Sequence, residues 1–220
     1  MPTIINADTS DGLKFTSDTS GEINLQSGGA DIATVSSTGI AMASGKTLPA
    51  ASLTGTLPAG TNVISAGTSV ASTSGTSIDF TGIPSWVKRI SIMLDTVSTN
   101  GSSTYQVQIG DSGGVETSGY IGVAGTITYV SNTTRGKANS SGFLIYGTST
   151  ASSYTHTGII QLSNLTGNTW VVNGAFYDTG IACSIPSGLK TLTSTLDRVR
   201  ITTENGTDTF DAGTINIMYE

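Results

Sequence analysis

The chain has 220 residues, carries a formal net charge of −6, and is 36% hydrophobic but only 11% charged. This composition argues against nucleic-acid binding, because most of that affinity comes from many Lys and Arg contacts to phosphates. Ser, Thr and the 28 Gly residues are poor helix formers, so the composition predicts an all-β protein of one large domain or two smaller ones.

The amino terminus, from Met1 to Asp8, lacks a basic segment followed by an apolar one. No run of the sequence approaches the roughly 20 apolar residues that span a bilayer. The sequence therefore predicts a protein without a signal peptide and without membrane insertion.

The region 1–43 holds short alternations of apolar and polar residues between Ser-, Thr- and Gly-rich turns. A period of two places the apolar side chains of each strand on one face. Burial of so few side chains, at roughly 25 cal/mol per Å², does not offset an ordering cost of about 1 to 2 kcal/mol per residue. We therefore predict that three chains intertwine here, with other closed symmetries less favoured. The predicted trimer-interface residues are Leu13, Phe15, Ile23, Leu25, Ile32, Val35 and Ile40.

The region 44–68 contains a direct repeat, Thr47 to Ala50 and Thr56 to Ala59, both reading Thr-Leu-Pro-Ala. Each Pro lacks an N–H for strand pairing and favours extended geometry at the Leu before it. This region is predicted to be an extended connector.

The region 69–220 shows repeated strand signals separated by turns. Arg89 to Asp95, Tyr105 to Ile109 and Arg198 to Thr202 each alternate apolar and polar residues. The Asn-Gly pairs at 100–101, 173–174 and 205–206 follow predicted strands and suit tight hairpins. The pattern predicts an antiparallel β-sandwich of jelly-roll type.

One motif points toward catalysis. The segment Gly110 to Gly114 reads Gly-Asp-Ser-Gly-Gly, as around the nucleophilic serine of chymotrypsin-like proteases. In that family the histidine precedes the serine, whereas His156 is the only histidine and follows Ser112. We therefore interpret the segment as a turn after a strand.

The remaining candidates for chemistry are isolated. His156 is predicted to be a surface or interface residue, with an ion on a trimer axis as the alternative, and Cys183 is predicted to be buried. The Asp18 to Glu22 turn and the Asp208 to Asp211 segment could bind Ca²⁺, but neither has EF-hand spacing, so solvated turn carboxylates are the simpler reading. The sequence predicts no enzyme activity, no metal site and no cofactor.

Tyrosines form the notable aromatic set. Tyr105 and Tyr146 fall on strands and are predicted to be core residues, as is Trp170. Exposed tyrosine rings can stack on sugars and donate hydrogen bonds. The candidate receptor-contacting residues are Tyr120, Tyr129 and Tyr154.

Several segments carry a family resemblance. They are 12–23, 32–40 and 44–49 in the amino-terminal part, and 83–90, 110–114, 196–201 and 205–213 in the carboxy-terminal part. Through these segments the chain resembles virion fibre proteins of tailed bacteriophages, particularly those of marine and cyanobacterial phages.

The resemblance implies a homotrimer located in the virion. Its amino-terminal segment would dock onto other virion proteins of the tail or capsid, and its β-domain would face outward. The leading hypothesis is a tail or head fibre that binds a glycan or protein of the host surface. The alternatives are a purely structural decoration or adaptor protein and, less favoured, a glycan-degrading fibre.

Overall fold

A computed structural model describes residues 22–47, 64–180 and 182–220. The chain divides into two compact units, Met1–Thr61 and Asn62–Glu220. The described residues contain antiparallel strands and no helix, so none of their segments is a helix that could cross a membrane. The prediction of an all-β fold is confirmed.

The described part of the first unit is a three-stranded meander. Its strands are β1 (Ile23–Ser27), β2 (Ala30–Ser36) and β3 (Gly39–Met42), in the order β1-β2-β3. Gly28 and Gly29 connect β1 to β2 with φ angles of +59° and +78°. Positive angles at both central residues are what a two-residue hairpin of the favoured twist requires.

The second unit contains two antiparallel sheets. The strands are β4 (Ser65–Ala66), β5 (Val70–Ala71), β6 (Ser77–Thr81), β7 (Arg89–Thr99), β8 (Tyr105–Asp111), β9 (Gly114–Val115), β10 (Ile121–Thr128), β11 (Thr133–Ala138), β12 (Phe143–Leu144), β13 (His156–Thr166), β14 (Thr169–Asp178), β15 (Ala182–Thr191), β16 (Arg198–Thr203) and β17 (Phe210–Tyr219). The nine-stranded sheet has the order β11-β10-β15-β14-β13-β7-β17-β4, with β5 also paired to β17. The five-stranded sheet has the order β12-β8-β16-β6, with β9 paired to β8.

The core of the second unit lies between the two sheets. Ile92 of β7 and Ile160 of β13 come from the larger sheet, and Val107 of β8 and Ile201 of β16 come from the smaller one. All four are fully buried. Because both sheets contribute alternate residues to one core, the second unit is a sandwich, as predicted. Asn173 and Gly174 lie within β14 and not in a turn, so the hairpin predicted there is wrong.

The first and last strands of the second unit, β4 and β17, are neighbours in the larger sheet. Ser65 of β4 pairs with Tyr219 of β17, and Ala66 pairs with Met218. Ser65–Ala66 lie within the predicted connector 44–68, so the end of that segment forms part of the larger sheet. The remaining residues of the connector between 48 and 63 lie outside the described part of the chain.

A buried ion pair lies at the end of the core near β15. The Nζ atom of Lys190 is 2.5 Å from a carboxylate oxygen of Glu116 and 5.4 Å from the centre of the Tyr120 ring. Glu116 also accepts a hydrogen bond from the backbone N–H of Thr193 at 2.7 Å, and it shares the hydroxyl hydrogen of Thr193, whose oxygen lies 2.8 Å away, with Asp111. The loop between β9 and β10 is thereby attached to β15 and to the segment that follows it.

Candidate interaction surface

The protease-like motif forms a tight hairpin turn between β8 and β9. Asp111 accepts hydrogen bonds from the N–H of Gly113 and from the hydroxyl of Thr193, both at 2.8 Å. These bonds hold the pKa of Asp111 below its usual value, with the Thr193 bond as the largest cause. Ser112 is exposed at the tip of the turn. The motif thus has the turn geometry that the sequence predicts.

His156 is fully buried, so the prediction of a surface or interface histidine is wrong. Its Nδ1 atom lies 3.2 Å from the carbonyl oxygen of Val97, and its ring packs edge-on against Tyr105 and Tyr146, with centroids 4.7 and 4.9 Å away. Its Nε2 atom and the hydroxyl of Tyr146 have no hydrogen-bond partner among the described residues. His156 is therefore a core residue of an aromatic cluster.

The structure keeps Ser112 and His156 apart. His156 packs against Tyr105, the first residue of β8, whereas Ser112 follows Asp111, the last residue of that strand. Seven residues of extended chain place the two ends of β8 roughly 20 Å apart. A general base must lie within hydrogen-bond reach of its nucleophile, so these residues do not form a catalytic pair.

We expect Ser112 to be inert toward serine-directed reagents, because His156, the one histidine of the chain, lies far from its hydroxyl. Purified protein treated with a fluorophosphonate probe should show no modification at Ser112 by mass spectrometry, under conditions that fully label a trypsin-like protease. Stoichiometric labelling that is abolished by Ser112→Ala would contradict this.

Of the residues considered for Ca²⁺, Asp18 lies outside the described part of the chain, and Asp208 and Asp211 are engaged in hydrogen bonds. Asp208 accepts hydrogen bonds from the N–H of Ser103 at 2.9 Å and from the amide of Asn205 at 2.6 Å. Asp211 accepts a hydrogen bond from the hydroxyl of Ser98. The described residues contain no group of three or more His, Cys, Asp or Glu side chains suited to a metal ion.

The three candidate receptor-contacting tyrosines have different surroundings. Tyr120 is buried, and its hydroxyl bonds the backbone of Ile109 and Glu116, which removes it from the candidate set. Tyr154 is half-buried against Gly180. Tyr129 is 64% exposed in the turn between β10 and β11. Of the three, Tyr129 has the exposure that ligand contact requires.

The predicted trimer-interface residues of the first unit mostly share one face. Leu13 and Phe15 lie outside the described residues. Ile23 pairs with Val35, which pairs with Ile40, so these side chains share a face with Leu25, which is paired with Ala33. Ile32 has the opposite parity and lies on the other face.

This shared face has almost no core of its own. Ala33 is the one buried apolar residue among the described residues of the first unit. Leu25 and Ile40 are exposed, Ile40 to 66%. The described sheet is thus a thin layer with an uncovered apolar side.

The second unit also presents an uncovered apolar surface, which we call the outer face. It consists of the side chains that point away from the core on β11, β10, β15, β14 and β13, which are adjacent in the larger sheet. Every residue at these positions is uncharged. Its large exposed apolar residues are Ile121, Val123, Ile127, Ile159, Tyr177, Ile185 and Leu189.

The strand register makes the outer face continuous. Ile127 pairs with Cys183, which pairs with Tyr177, and Ile121 pairs with Leu189. Cys183 is exposed on this surface, so the prediction that it is buried is wrong. Directly opposed side chains lie about 5 Å apart, so the apolar residues form one patch rather than scattered contacts.

Comparison of the chain with protein-family models, curated proteins and solved structures finds no match.

Proposed function

We propose that this chain is the subunit of a trimeric virion fibre of a tailed bacteriophage, whose second unit attaches the particle to the host surface. The observation that carries the proposal is the thin sheet of the first unit, with Ala33 as its one buried apolar residue among those described. A three-stranded layer that buries so little apolar surface gains too little from burial to offset its ordering cost, so it needs packing against another surface. Sibling chains supply that surface in an intertwined fibre.

The second unit supports the attachment role by its geometry. Ser65 pairs with Tyr219 at one end of the larger sheet, while Tyr129 follows β10 at the end marked by the pairing of Thr128 with Ala182. These are opposite ends of the sheet, since the registers run continuously through β15, β14, β13, β7 and β17. A chain tethered through Ser65 would therefore present Tyr129 at its distal end, where a ring can stack on a host glycan.

The test is a binding assay with the purified full-length chain. We expect it to bind host cells and to reduce phage adsorption in competition, and we expect Tyr129→Ala to weaken both effects. Ser112→Ala, which also alters an exposed turn, is the matched control and should leave both unchanged.

Three other outcomes would redirect the proposal. Retention on phage particles without cell binding would support the structural decoration or adaptor role. Release of reducing sugar from host polysaccharide would support a glycan-degrading fibre. Failure to associate with either particles or cells would contradict a virion function.

Ile40→Glu is expected to weaken assembly, because it places a charge on the apolar face of the first unit. The concentration at which oligomers dissociate should rise at least about tenfold, which corresponds to about 1.4 kcal/mol. Sedimentation velocity over a dilution series measures this. Ala41→Glu is the matched control and should have the smaller effect, since Ala41 is exposed on the same strand but points to the opposite face, which carries only Ile32 of the predicted interface residues that the structure describes. Equal effects of the two substitutions would contradict the assignment of the interface.

A further inference from the structure

We infer that the outer face of the second unit is itself a self-association interface, covered by other copies of this chain around a common axis. The inference rests on the self-assembly included in the proposed function, but it concerns a different unit and a different surface. The contact in the first unit and the contact on the outer face can therefore be tested separately.

The two outward surfaces of the same sandwich differ in chemistry. On the five-stranded sheet, Asp79, Arg198 and Arg200 point to solvent or its margin, and Arg200 forms a two-pronged ion pair with Asp79 at 2.7 Å. The outer face of the larger sheet has no charged residue across five strands and exposes Ile185 to 57% and Ile121 to 66%. Contiguous apolar patches of this kind mark interaction sites.

The charge distribution favours a second copy as the occupant. Each chain carries a net charge of −6, so two copies repel one another over most of their surfaces. The outer face is free of this repulsion, and its apolar residues gain equally from both sides of the contact. Charged residues appear again on β7, the next strand of the sheet after β13, at Arg89 and Asp95.

The size of the outer face fits a stable contact. Five strands spaced about 4.8 Å apart, with about eight residues each at 3.4 Å, cover about 24 Å by 27 Å, or about 650 Å². Two such faces bury about 1,300 Å², which falls within the range of about 1,200 to 2,000 Å² for specific protein interfaces. The uncharged surface is therefore large enough for a stable contact.

The width of the outer face also suits three copies. Three flat faces around an axis form a triangular prism, in which each face is about 3.5 times as wide as its distance from the axis. Because packed sheets lie about 10 Å apart, side chains meet about 5 Å from each sheet, which requires a width of about 17 Å or more. The outer face meets that minimum, and the central strand β15 would lie nearest the axis.

Cys183 provides a native probe of this contact, because it is the one cysteine of the chain and lies exposed on the outer face. The experiment compares the rate at which a maleimide dye modifies Cys183 in the full chain and in Ile185→Glu, with sedimentation of both samples. We expect the native oligomer to react at least about tenfold more slowly than Ile185→Glu, because thiol reactivity depends on access. Thr81→Glu, which adds the same charge to an exposed position opposite Arg198 on the other sheet, should react as slowly as the native chain.

The outcomes separate this inference from the proposed function. A trimer whose Cys183 reacts as fast as the Cys183 of urea-unfolded chain would overturn the inference and leave the trimeric fibre intact. A monomer at all concentrations would overturn both. Protection of Cys183 that appears only after host cells or phage particles are added would assign the outer face to another partner and overturn the inference. The comparison of native with unfolded chain needs no variant, so it stands even if Ile185→Glu fails to fold.

Discussion

Glu116→Gln is expected to lower the free energy of unfolding of the second unit by about 3 kcal/mol, the lower end of the range for breaking a buried ion pair. The substitution leaves the ammonium group of Lys190 without its counterion, and the Lys190 side chain is only 6% exposed. The lower end applies because Glu116 is 19% exposed. Cation–π contact with Tyr120 compensates only in part.

The matched control is Lys190→Met, which keeps the volume of the side chain. Its expected cost is smaller, about 1 kcal/mol, because the remaining carboxylate keeps its two hydrogen bonds from Thr193 and some exposure to water. Urea unfolding at pH 7, followed by tryptophan fluorescence, measures both costs from the shift of the midpoint at constant slope. A cost for Glu116→Gln that is equal to or below that of Lys190→Met would refute the asymmetry.

The second unit is expected to lose stability as the pH falls from about 6.5 toward 5, with His156 as the cause. Burial is the main reason that the pKa of His156 lies below its usual value, and the Val97 carbonyl and the negative charge of Asp178 oppose this effect without reversing it. Near pH 6.5, His156 therefore binds a proton in the unfolded chain but stays neutral in the folded chain. Stability is fully present above that pH and falls below it, by at most about 1.4 kcal/mol per pH unit for one proton.

His156→Phe isolates this contribution, because phenylalanine fills the ring site and does not titrate. We expect its unfolding midpoint to stay nearly constant between pH 7 and 5, while that of the native chain falls. Carboxylates change their protonation, and so affect stability, at a lower pH than His156. Burial acts to raise the pKa of Glu116, but its bonds from Lys190 and Thr193 outweigh burial and hold the pKa below the ordinary 4.5. Parallel declines of both proteins above pH 5 would exclude His156 as the cause.

Much of the fold follows from alternation in the sequence. The pattern of Ile90, Ile92 and Leu94 against polar neighbours correctly predicts β7, and the buried positions of Tyr105 and Tyr146 were also predictable. The same rule could have placed His156. It shares the parity of Ile160 and Leu162 on β13, which marks it as inward-facing even though its immediate neighbours are polar.

Cys183 shows where the rule fails. On β15 the outward-facing residues Cys183, Ile185 and Leu189 are apolar, whereas the inward-facing residues include Ser184 and Lys190. Alternation identifies the buried face of a strand only when the polar face is the one in contact with water, and on β15 this relation is reversed. The sequence pattern therefore does not predict the outer face. The wrong prediction for Cys183 has the same cause, because the apolar residues around it form that surface.

The buried ion pair could not be predicted from sequence spacing. Lys190 and Glu116 are far apart along the chain, and β15 and the segment before β10 meet only because β10 pairs with β15. The prediction that Tyr120 contacts a receptor fails for the same reason. Its ring packs edge-on against Phe143 in the core, and its hydroxyl accepts a hydrogen bond from the N–H of Ile109. Such contacts depend on which strands become neighbours, and local patterns do not contain that information.

The side-by-side pairing of β4 with β17 gives the sandwich adjacent ends. Ser65 and Tyr219 are direct partners, so their backbones lie about 5 Å apart. A module with neighbouring termini can be spliced into a surface loop of an unrelated scaffold without stretching that loop. Protein engineering could therefore insert the sandwich into loops of different host proteins while its folded core stays the same.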